Sequence, residues 1–167
     1  MVYCIRDNLT AAPGQGGIPE GKMKILVADD ESEIRKILGI LLTGEGHTIT
    51  EAKNGREAVD ALNRDKDIDL VIMDIKMPRL DGISAAREIR GRSSVPILFL
   101  TARSLAGDMD SAYAAGGDDY IVKPFSPREL ILKVNALARR YNMYSQKAAD
   151  NPDVISLPGG VYVNPVT

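Results

Sequence analysis

Short apolar runs alternate with amphipathic segments along most of this chain, from Met23 to about Tyr144. Each run has the length and the β-branched or leucine-rich content of a buried strand. In chain order the runs are KILVA, HTITEA, IDLVIM, VPILFL and DYIV. Because a strand that is buried on both faces reads as a continuous apolar run, the pattern predicts a parallel sheet that helices cover on both sides.

The segments between the runs carry apolar residues at helical spacing and capping signals at their ends. The first helix, at 31–43, is expected to turn Ile34, Ile37, Leu38, Leu41 and Leu42 toward the sheet. Further helices are predicted from the capping pair Asn54 and Glu57, from the turn Asp81-Gly82, from Leu105, Met109, Ala112 and Tyr113, and from Ser126-Pro127-Arg128-Glu129. The fold class is therefore α/β, a three-layer sandwich of five parallel strands in the order 2-1-3-4-5 with five helices.

Composition and charge narrow the classes of function. With 167 residues and 44% hydrophobic content, the chain supports one complete core. Its net charge of −2 has mixed signs, so we expect no broad basic face for a nucleic acid. No apolar run approaches the ~20 residues of a membrane span, and the only cysteine, Cys4, has no partner in the chain. We expect a cytoplasmic protein that does not contact a membrane.

Polar side chains follow four of the predicted strands, at the point where each strand ends. Asp29 and Asp30 follow the first strand, Asp74 the third, Thr101 the fourth and Lys123 the fifth. In a parallel sheet the carboxyl ends of the strands form the ligand crevice near the reversal of strand order. These side chains are therefore expected to form one pocket.

The three carboxylates of this pocket would repel one another unless a cation were present. Mg²⁺ fits best, because it prefers oxygen ligands and keeps waters for a phosphate-bearing substrate. We predict Asp30 and Asp74 as direct ligands and Asp29 as a residue that acts mainly through water. The backbone carbonyl of Lys76 is predicted as a further ligand.

The same pocket predicts a phosphorylation chemistry. The Asp74 carboxylate can attack a phosphoryl group to give an aspartyl phosphate while a metal neutralises the incoming oxygens. Lys123 would contact a phosphoryl oxygen, and the Thr101 hydroxyl would donate a hydrogen bond to it. Considered alone, each has a simpler interpretation: the acidic pair as a helix cap, Lys123 as a surface lysine, and Thr101 as a β-branched residue at a strand end. Their joint occurrence in this order favours the phosphorylation site.

An ordered set of motifs identifies a resemblance. The motifs are VADDE at 27–31, VIMDIKMPRLDG at 71–82, LTAR at 100–103, GGDDYIVKPF at 116–125 and SPREL at 126–130. From Met23 to about Tyr144 the chain resembles the flavodoxin-like receiver domain of two-component response regulators, of the OmpR/PhoB type. The resemblance implies phosphotransfer from a sensor histidine kinase to Asp74 and a cis peptide bond between Lys123 and Pro124.

The resemblance also implies a switch and a dimer. Thr101 would turn toward the phosphate and Tyr120 would move inward, which would change the surface of the predicted fourth helix, fifth strand and fifth helix. Phosphorylation would then favour a homodimer through this surface. Its candidate ionic residues are Asp118, Asp119, Glu129, Lys133 and Arg140. Met109, Ala114 and Asn135 stand at positions often charged in the family, so we expect a dimer that is less sensitive to salt.

The chain divides into three parts by composition. Residues 1–22 have the Gly, Pro and Ala content of a disordered leader or an artificial extension. Residues 23–144 form the receiver domain, and 145–167 contain a linker and two short β runs. These runs resemble the opening strands of a winged-helix DNA-binding domain that is truncated here, so DNA would be bound only through the missing part. An unrelated disordered tail is the alternative.

Other functions fit the sequence less well. A phosphatase would need an acid/base carboxylate two residues after Asp74, where Lys76 stands. A nucleotide-binding protein would carry a glycine-rich loop after the first strand, whereas this chain has ADDES. A receiver that acts as an interaction module without phosphate is the more serious alternative, and the intact acidic site argues against it.

Overall fold

The computed structural model describes residues 22–102, 114–150, 155–156 and 162–163, with side chains described at 22–102 and 114–141. Its elements are β1 (Lys24–Ala28), α1 (Ser32–Gly44), β2 (Thr48–Ala52), α2 (Gly55–Arg64), β3 (Leu70–Asp74), α3 (Gly82–Arg90), β4 (Ile97–Ala102), β5 (Asp119–Lys123) and α4 (Pro127–Asp150). The short strands β6 (Ile155–Ser156) and β7 (Tyr162–Val163) follow.

The main sheet has five parallel strands in the order β2-β1-β3-β4-β5, which confirms the predicted topology. The helix α4 is the fifth helix of the prediction. The predicted fourth helix falls mainly on residues 103–113, which lie outside the described part of the chain. The described residues therefore show four helices, and the predicted count of five is not confirmed.

Helices cover the sheet on both faces, as continuous apolar strands require. On one face, Leu26, Val71 and Phe99 pack with α2 and α3 through Ala58, Val59, Leu62, Ala85, Ala86 and Ile89. On the other face, Ile25, Ile72 and Leu98 pack with α1 and α4 through Leu38, Leu42, Leu130, Val134 and Leu137. The two cores fix the strand register, so the carboxyl ends of β1, β3, β4 and β5 share one edge.

The predicted capping signals form. The Asn54 side chain accepts a hydrogen bond from the Glu57 N–H at 3.0 Å at the start of α2. Ser126 Oγ accepts one from the Glu129 N–H at 3.1 Å at the start of α4. Each side chain satisfies one amide that the first helical turn leaves without an intrahelical partner.

One prediction for α1 is wrong. Ile37 was expected to face the sheet, but 48% of its surface is exposed, while Arg35 on the same helix is buried. The guanidinium of Arg35 donates to backbone carbonyls and to Glu51, so its burial is stabilised by hydrogen bonds that an apolar side chain could not make. The buried face of α1 is therefore rotated relative to the prediction, and Leu38 and Leu42 pack in the core.

The tail also forms its predicted β runs. Residues Ile155–Ser156 pair with Tyr162–Val163 in antiparallel orientation. Their identity as the opening of a winged-helix domain stays a prediction, as does the assignment of residues 1–22.

Candidate functional site

The acidic pair lies directly after β1, with its two side chains in different surroundings. Asp29 has no exposed surface, and its Oδ1 accepts the Glu31 N–H at 2.9 Å. The Asp29 N–H donates to the Ala52 carbonyl of β2 at 3.2 Å, which continues the parallel ladder by one bond. Asp30 is exposed. One carboxylate is thus fixed in the protein interior, and its neighbour faces solvent.

Asp74 is the last residue of β3 and lies opposite this pair. Only 7% of its surface is exposed. Asp29, Asp30 and Asp74 each offer one carboxylate oxygen, and the three oxygens lie within 4.8 Å of one another. The structure therefore brings together the three acidic residues that the strand order predicted. Carboxylate oxygens are the donors that a hard divalent cation prefers, so the residues present fit Mg²⁺.

Lys123, the last residue of β5, supplies a cation to the same cluster. Its Nζ donates to Asp29 Oδ2 at 2.8 Å and lies 3.2 Å from Asp74 Oδ1. It also lies 3.7 Å from the exposed carboxylate of Glu31. The following peptide bond, to Pro124, is cis, as the resemblance implied. The Lys123 side chain thus extends from the end of β5 and contacts carboxylates at the ends of β1 and β3.

Burial and charge perturb the protonation of this cluster. The pKa of the Asp74 carboxyl is raised to about 6, mainly by burial; Lys123 opposes the rise, and the nearby Asp29 and Asp30 contribute to it. For Lys123, burial would lower the pKa of the ammonium, but the hydrogen bond to Asp29 and the charges of Asp74 and Asp29 outweigh it, so the pKa is raised. Asp74 thus holds its proton more tightly than a carboxyl in water, and it lies beside a lysine that stays charged.

Thr101 and Tyr120 occupy neighbouring strands of the same half of the sheet. Thr101, on β4, is buried, and its Oγ1 donates to the Ala102 carbonyl at 3.3 Å. Tyr120, on β5, is half-buried, and the ammonium of Lys133 lies 5.6 Å from the centre of its ring. The movement of both residues stays a prediction.

The loop after β3 carries Lys76. Its side chain is exposed, two residues beyond Asp74. The Gly82 N–H donates to the Ile75 carbonyl at 2.8 Å, which closes the loop against the end of the strand. The role of the Lys76 carbonyl as a metal ligand stays a prediction.

Three of the residues predicted for a dimer surface, Asp118, Asp119 and Lys133, have ionic partners within the chain. Lys133 Nζ donates to Asp119 Oδ1 at 2.7 Å, and Arg90 pairs with Asp118 at 2.8 Å. Glu129 is exposed at the start of α4, and Arg140 is exposed further along that helix. The structure brings Asp119 and Lys133 together and leaves the dimer itself a prediction.

Sequence reasoning missed Arg35. Its Nη1 donates to the carbonyls of Asp29 and Asp30 at 2.7 and 3.2 Å, and its Nε donates to Glu51 at 3.0 Å. The only signal was a charged residue among apolar ones on a helix that opens beside the acidic pair, which ordinarily indicates a solvated side chain. The buried guanidinium instead lies against the backbone of the site.

Among the helices that the structure describes, none has both the length and the apolar character to cross a membrane.

Comparisons with known proteins agree with the fold. The response regulator receiver domain model matches residues 25–135. The transcriptional regulatory protein ResD of Bacillus subtilis (strain 168) is 46% identical over 129 residues, which are 77% of this chain and 53% of that protein. The uncharacterized transcriptional regulatory protein YrkP of the same organism is 46% identical over 124 residues, which are 74% of this chain and 53% of that protein.

A solved structure gives the same result. The crystal structure of a response regulator receiver domain protein from Clostridium thermocellum is 30% identical, covers 72% of this chain and 98% of its own, and aligns with a TM-score of 0.69. The chain spans about half the length of the curated relatives named above. The resemblance that the motifs indicated is confirmed: this chain belongs to the response regulator receiver domain family.

Proposed function

We propose that this chain accepts a phosphoryl group on Asp74 from the phosphohistidine of a sensor histidine kinase, with Mg²⁺ as cofactor. The observation that carries the proposal is the position of Lys123 Nζ, 2.8 Å from Asp29 and 3.2 Å from Asp74, beside a cluster of three carboxylates. A lysine and a metal-binding acidic cluster at one strand end are the charges that a transferred phosphoryl group requires.

The transfer is a substitution at phosphorus. An oxygen of the Asp74 carboxylate forms the new P–O bond, the P–N bond to the donor imidazole breaks, and its electron pair stays on that nitrogen. Burial supports this role, because a desolvated carboxylate with a pKa of about 6 is more basic than one in water. Lys123 would exchange its contact with Asp74 for one with a phosphoryl oxygen.

The metal would be held by Asp30, by Asp74 and by the carbonyl of Lys76, with Asp29 acting through water. In support of the role for Asp29, both of its oxygens already accept hydrogen bonds, from the Glu31 N–H and from Lys123. Mg²⁺ bound there would neutralise the charge of the phosphoryl oxygens.

Phosphorylation would then shift the population between two states. In our proposal Thr101 turns toward the phosphate and Tyr120 moves inward, which changes the face that carries Asp119 and Lys133. A homodimer would form through this face, with Asp118, Asp119, Glu129, Lys133 and Arg140 as its ionic residues. The internal pairs of Asp118 with Arg90 and of Asp119 with Lys133 leave fewer charges for the partner, which supports a dimer of low salt sensitivity.

The wider role concerns the complete parent protein. The curated relatives are named transcriptional regulatory proteins, and this chain spans about half of their length. We infer that the parent regulates transcription in the cytoplasm and binds DNA through a domain of which residues 145–167 contain the start. The receiver would control that binding through its dimer.

The proposal is tested by incubating the chain with acetyl phosphate and Mg²⁺ and measuring its intact mass. We expect the mass of one added phosphoryl group in the wild type, and none in Asp74→Asn or after chelation of the metal. Asp60→Asn makes the same chemical change on an exposed face of α2 and is expected to be modified like the wild type.

Sedimentation of the same proteins in beryllium fluoride and Mg²⁺ tests the dimer. A dimer is expected for the wild type at low and at high salt, and a monomer for Asp74→Asn. A phosphoryl group found on Asp74→Asn would refute the assignment of the acceptor, and a dimer lost at high salt would refute the expected apolar character of its interface.

A further inference from the structure

Arg35 is the buried cation that the phosphorylation chemistry does not use. Its side chain is 8% exposed, although it lies on α1 only five residues after Asp30. Burying a guanidinium is costly unless its donors are satisfied, so a buried arginine indicates a specific set of acceptors. The acceptors in this structure belong to the acidic site.

The bonds of Arg35 go to the backbone that carries the two acidic side chains. Nη1 donates to the carbonyl of Asp29 at 2.7 Å and to that of Asp30 at 3.2 Å. Because a guanidinium is planar and rigid, these two bonds fix the orientation of two consecutive peptides. The Asp29 N–H is held from the other side by the Ala52 carbonyl at 3.2 Å. The backbone of the acidic pair is thus clamped between α1 and β2.

Glu51 completes the arrangement. Its carboxylate accepts a hydrogen bond from Arg35 Nε at 3.0 Å, and its side chain is 52% exposed. The contact fixes the rotation of the guanidinium about its long axis. The negative charge of Glu51 also offsets the buried positive charge.

These bonds oppose a distortion that the charges of the site favour. Three carboxylates within 4.8 Å repel one another, and the repulsion relaxes by moving the chain segment that is held least firmly. Asp29 is held through its side chain by Lys123 and by the Glu31 N–H, whereas Asp30 is exposed. The direction of the Asp30 side chain therefore depends on its backbone, to which Arg35 binds.

We propose that Arg35, oriented by Glu51, is a positioning residue that holds Asp29 and Asp30 in the geometry required for the divalent cation. The inference rests on the metal site of the proposed function. Loss of the clamp lets the loop after β1 relax, so the protein must reorder it when Mg²⁺ binds, and the affinity falls. Partners that orient metal ligands in this way typically change metal affinity by roughly 10–100-fold when they are removed.

Arg90 provides a matched control, because it is a second arginine held by the same kinds of bonds. Its side chain is 17% exposed. It donates to the carbonyls of Gly116 and Val95 at 2.7 and 2.6 Å and pairs with Asp118. These residues precede β4 and β5, at the end of the sheet opposite the acidic cluster. Arg90→Met therefore removes a comparable set of bonds without touching the backbone of the site.

The test is calorimetric titration of the full chain with Mg²⁺, together with urea denaturation of each variant in chelator. For Arg35→Met we expect Mg²⁺ affinity to fall on the order of tenfold. The Mg²⁺ affinity of Arg35→Lys, which keeps the charge and loses the planar guanidinium, should lie between that of Arg35→Met and that of the wild type. Glu51→Gln should weaken binding about two- to threefold, because the charge is lost and an acceptor is kept. Arg90→Met should lose stability and keep its affinity within about twofold.

The outcomes separate this inference from the proposed function. Absence of Mg²⁺ binding by the wild type refutes the metal site and this role with it. Binding by the wild type with unchanged affinity in Arg35→Met, or an equal loss in Arg90→Met, refutes the positioning role alone. If Arg35→Met does not fold, Arg35→Lys and Glu51→Gln decide: weakened binding in both supports the role, and wild-type affinity in both overturns it.

Discussion

The two ends of the same sheet differ in how deeply their charged groups are buried. At the carboxyl end, one carboxylate oxygen from each of Asp29, Asp30 and Asp74 lies within 4.8 Å of the others. Lys123 contacts Asp29 and Asp74. Two of the three carboxylates are buried, so neither water nor salt screens them well. This end has an excess of negative charge that the fold keeps in place.

At the amino end, the charged groups are partly exposed to solvent. Lys24 pairs with Asp65 at 2.7 Å, and the Lys24 N–H donates to Asp69 Oδ2 at 2.8 Å. Both members of the ion pair are about one-third exposed. His47 is buried here, and its Nδ1 accepts the Met23 N–H at 3.3 Å. The polar groups at this end are paired or partly exposed, and Asp67 and Asp69 add negative charge near Lys24.

The two ends thus place their charges in different surroundings. The Lys24–Asp65 pair is partly exposed, so its contribution to stability is small. The Asp74 carboxylate is buried, and its charged form opposes folding because burial raises its pKa. A site that is used in binding commonly lowers stability in this way. Substitutions at each end of the sheet test this difference.

The largest expected effect comes from a glycine at the carboxyl end. A Cβ at Gly82 would overlap the backbone carbonyl of Asp74, so Gly82→Ala must displace the end of β3. We expect a loss of about 3 kcal/mol in the free energy of unfolding, measured by urea denaturation.

Gly46 is the matched position beside the amino end. It has open space around it, and its φ of 89° alone disfavours a side chain. Gly46→Ala should therefore cost only about 1 kcal/mol. An equal cost for the two substitutions would show that the carboxyl end is no more tightly closed than the amino end.

The next effect concerns the charge of Asp74. Burial raises its pKa to about 6, above the ordinary value of 3.8, so the folded state binds the proton more tightly than the unfolded state. The charged carboxylate therefore destabilises the fold at pH values above about 6, and this cost disappears as the pH falls below 3.8. Without metal, Asp74→Asn should be more stable than the wild type by on the order of 2 kcal/mol at neutral pH.

Urea denaturation in chelator, repeated between pH 7.5 and about 4.5, measures this difference. The advantage of Asp74→Asn should shrink as the solution is acidified. Asp60→Asn, on an exposed face, should show no such dependence. A constant difference across this range would mean that the shifted titration of Asp74 does not cause it.

The features that follow from periodicity and topology were predictable, and those that depend on a single tertiary partner were not. The strand runs and the order 2-1-3-4-5 placed Asp29, Asp74 and Lys123 together before any coordinates were known, because parallel strands align their carboxyl ends. The burial of Arg35 was not predictable, since it depends on Glu51 and on two carbonyls that only the folded backbone presents.

The contacts of Lys123 show the same limit. Its general position follows from the sequence, but the predicted contact was with a phosphoryl group. Its ammonium donates to Asp29 at 2.8 Å and lies 3.2 Å from Asp74, and differences of this size do not follow from a sequence pattern. The roles assigned to Thr101, Tyr120 and the Lys76 carbonyl depend on a phosphorylated state and stay predictions.

The smallest expected effect comes from the amino end and has the opposite sign. Burial lowers the pKa of His47, although Glu45 opposes the shift, so the folded state binds this proton less tightly than the unfolded state. The stability contributed by neutral His47 is present above the ordinary pKa of 6.5 and is lost as the pH falls below it. Protonation also removes the lone pair of Nδ1 that accepts the Met23 N–H.

The substitution His47→Asn tests this, because the Asn Oδ1 keeps an acceptor near the position of Nδ1 and does not titrate. In the Asp74→Asn background, which removes the opposing titration, the chain with His47 should lose stability relative to His47→Asn between pH 7.5 and about 5.5. The change should be a fraction of the ~1.4 kcal/mol that one full pKa unit represents. Parallel curves for the two chains would show that His47 has the same proton affinity folded and unfolded, and the contrast in pH response would then rest on the carboxyl end alone.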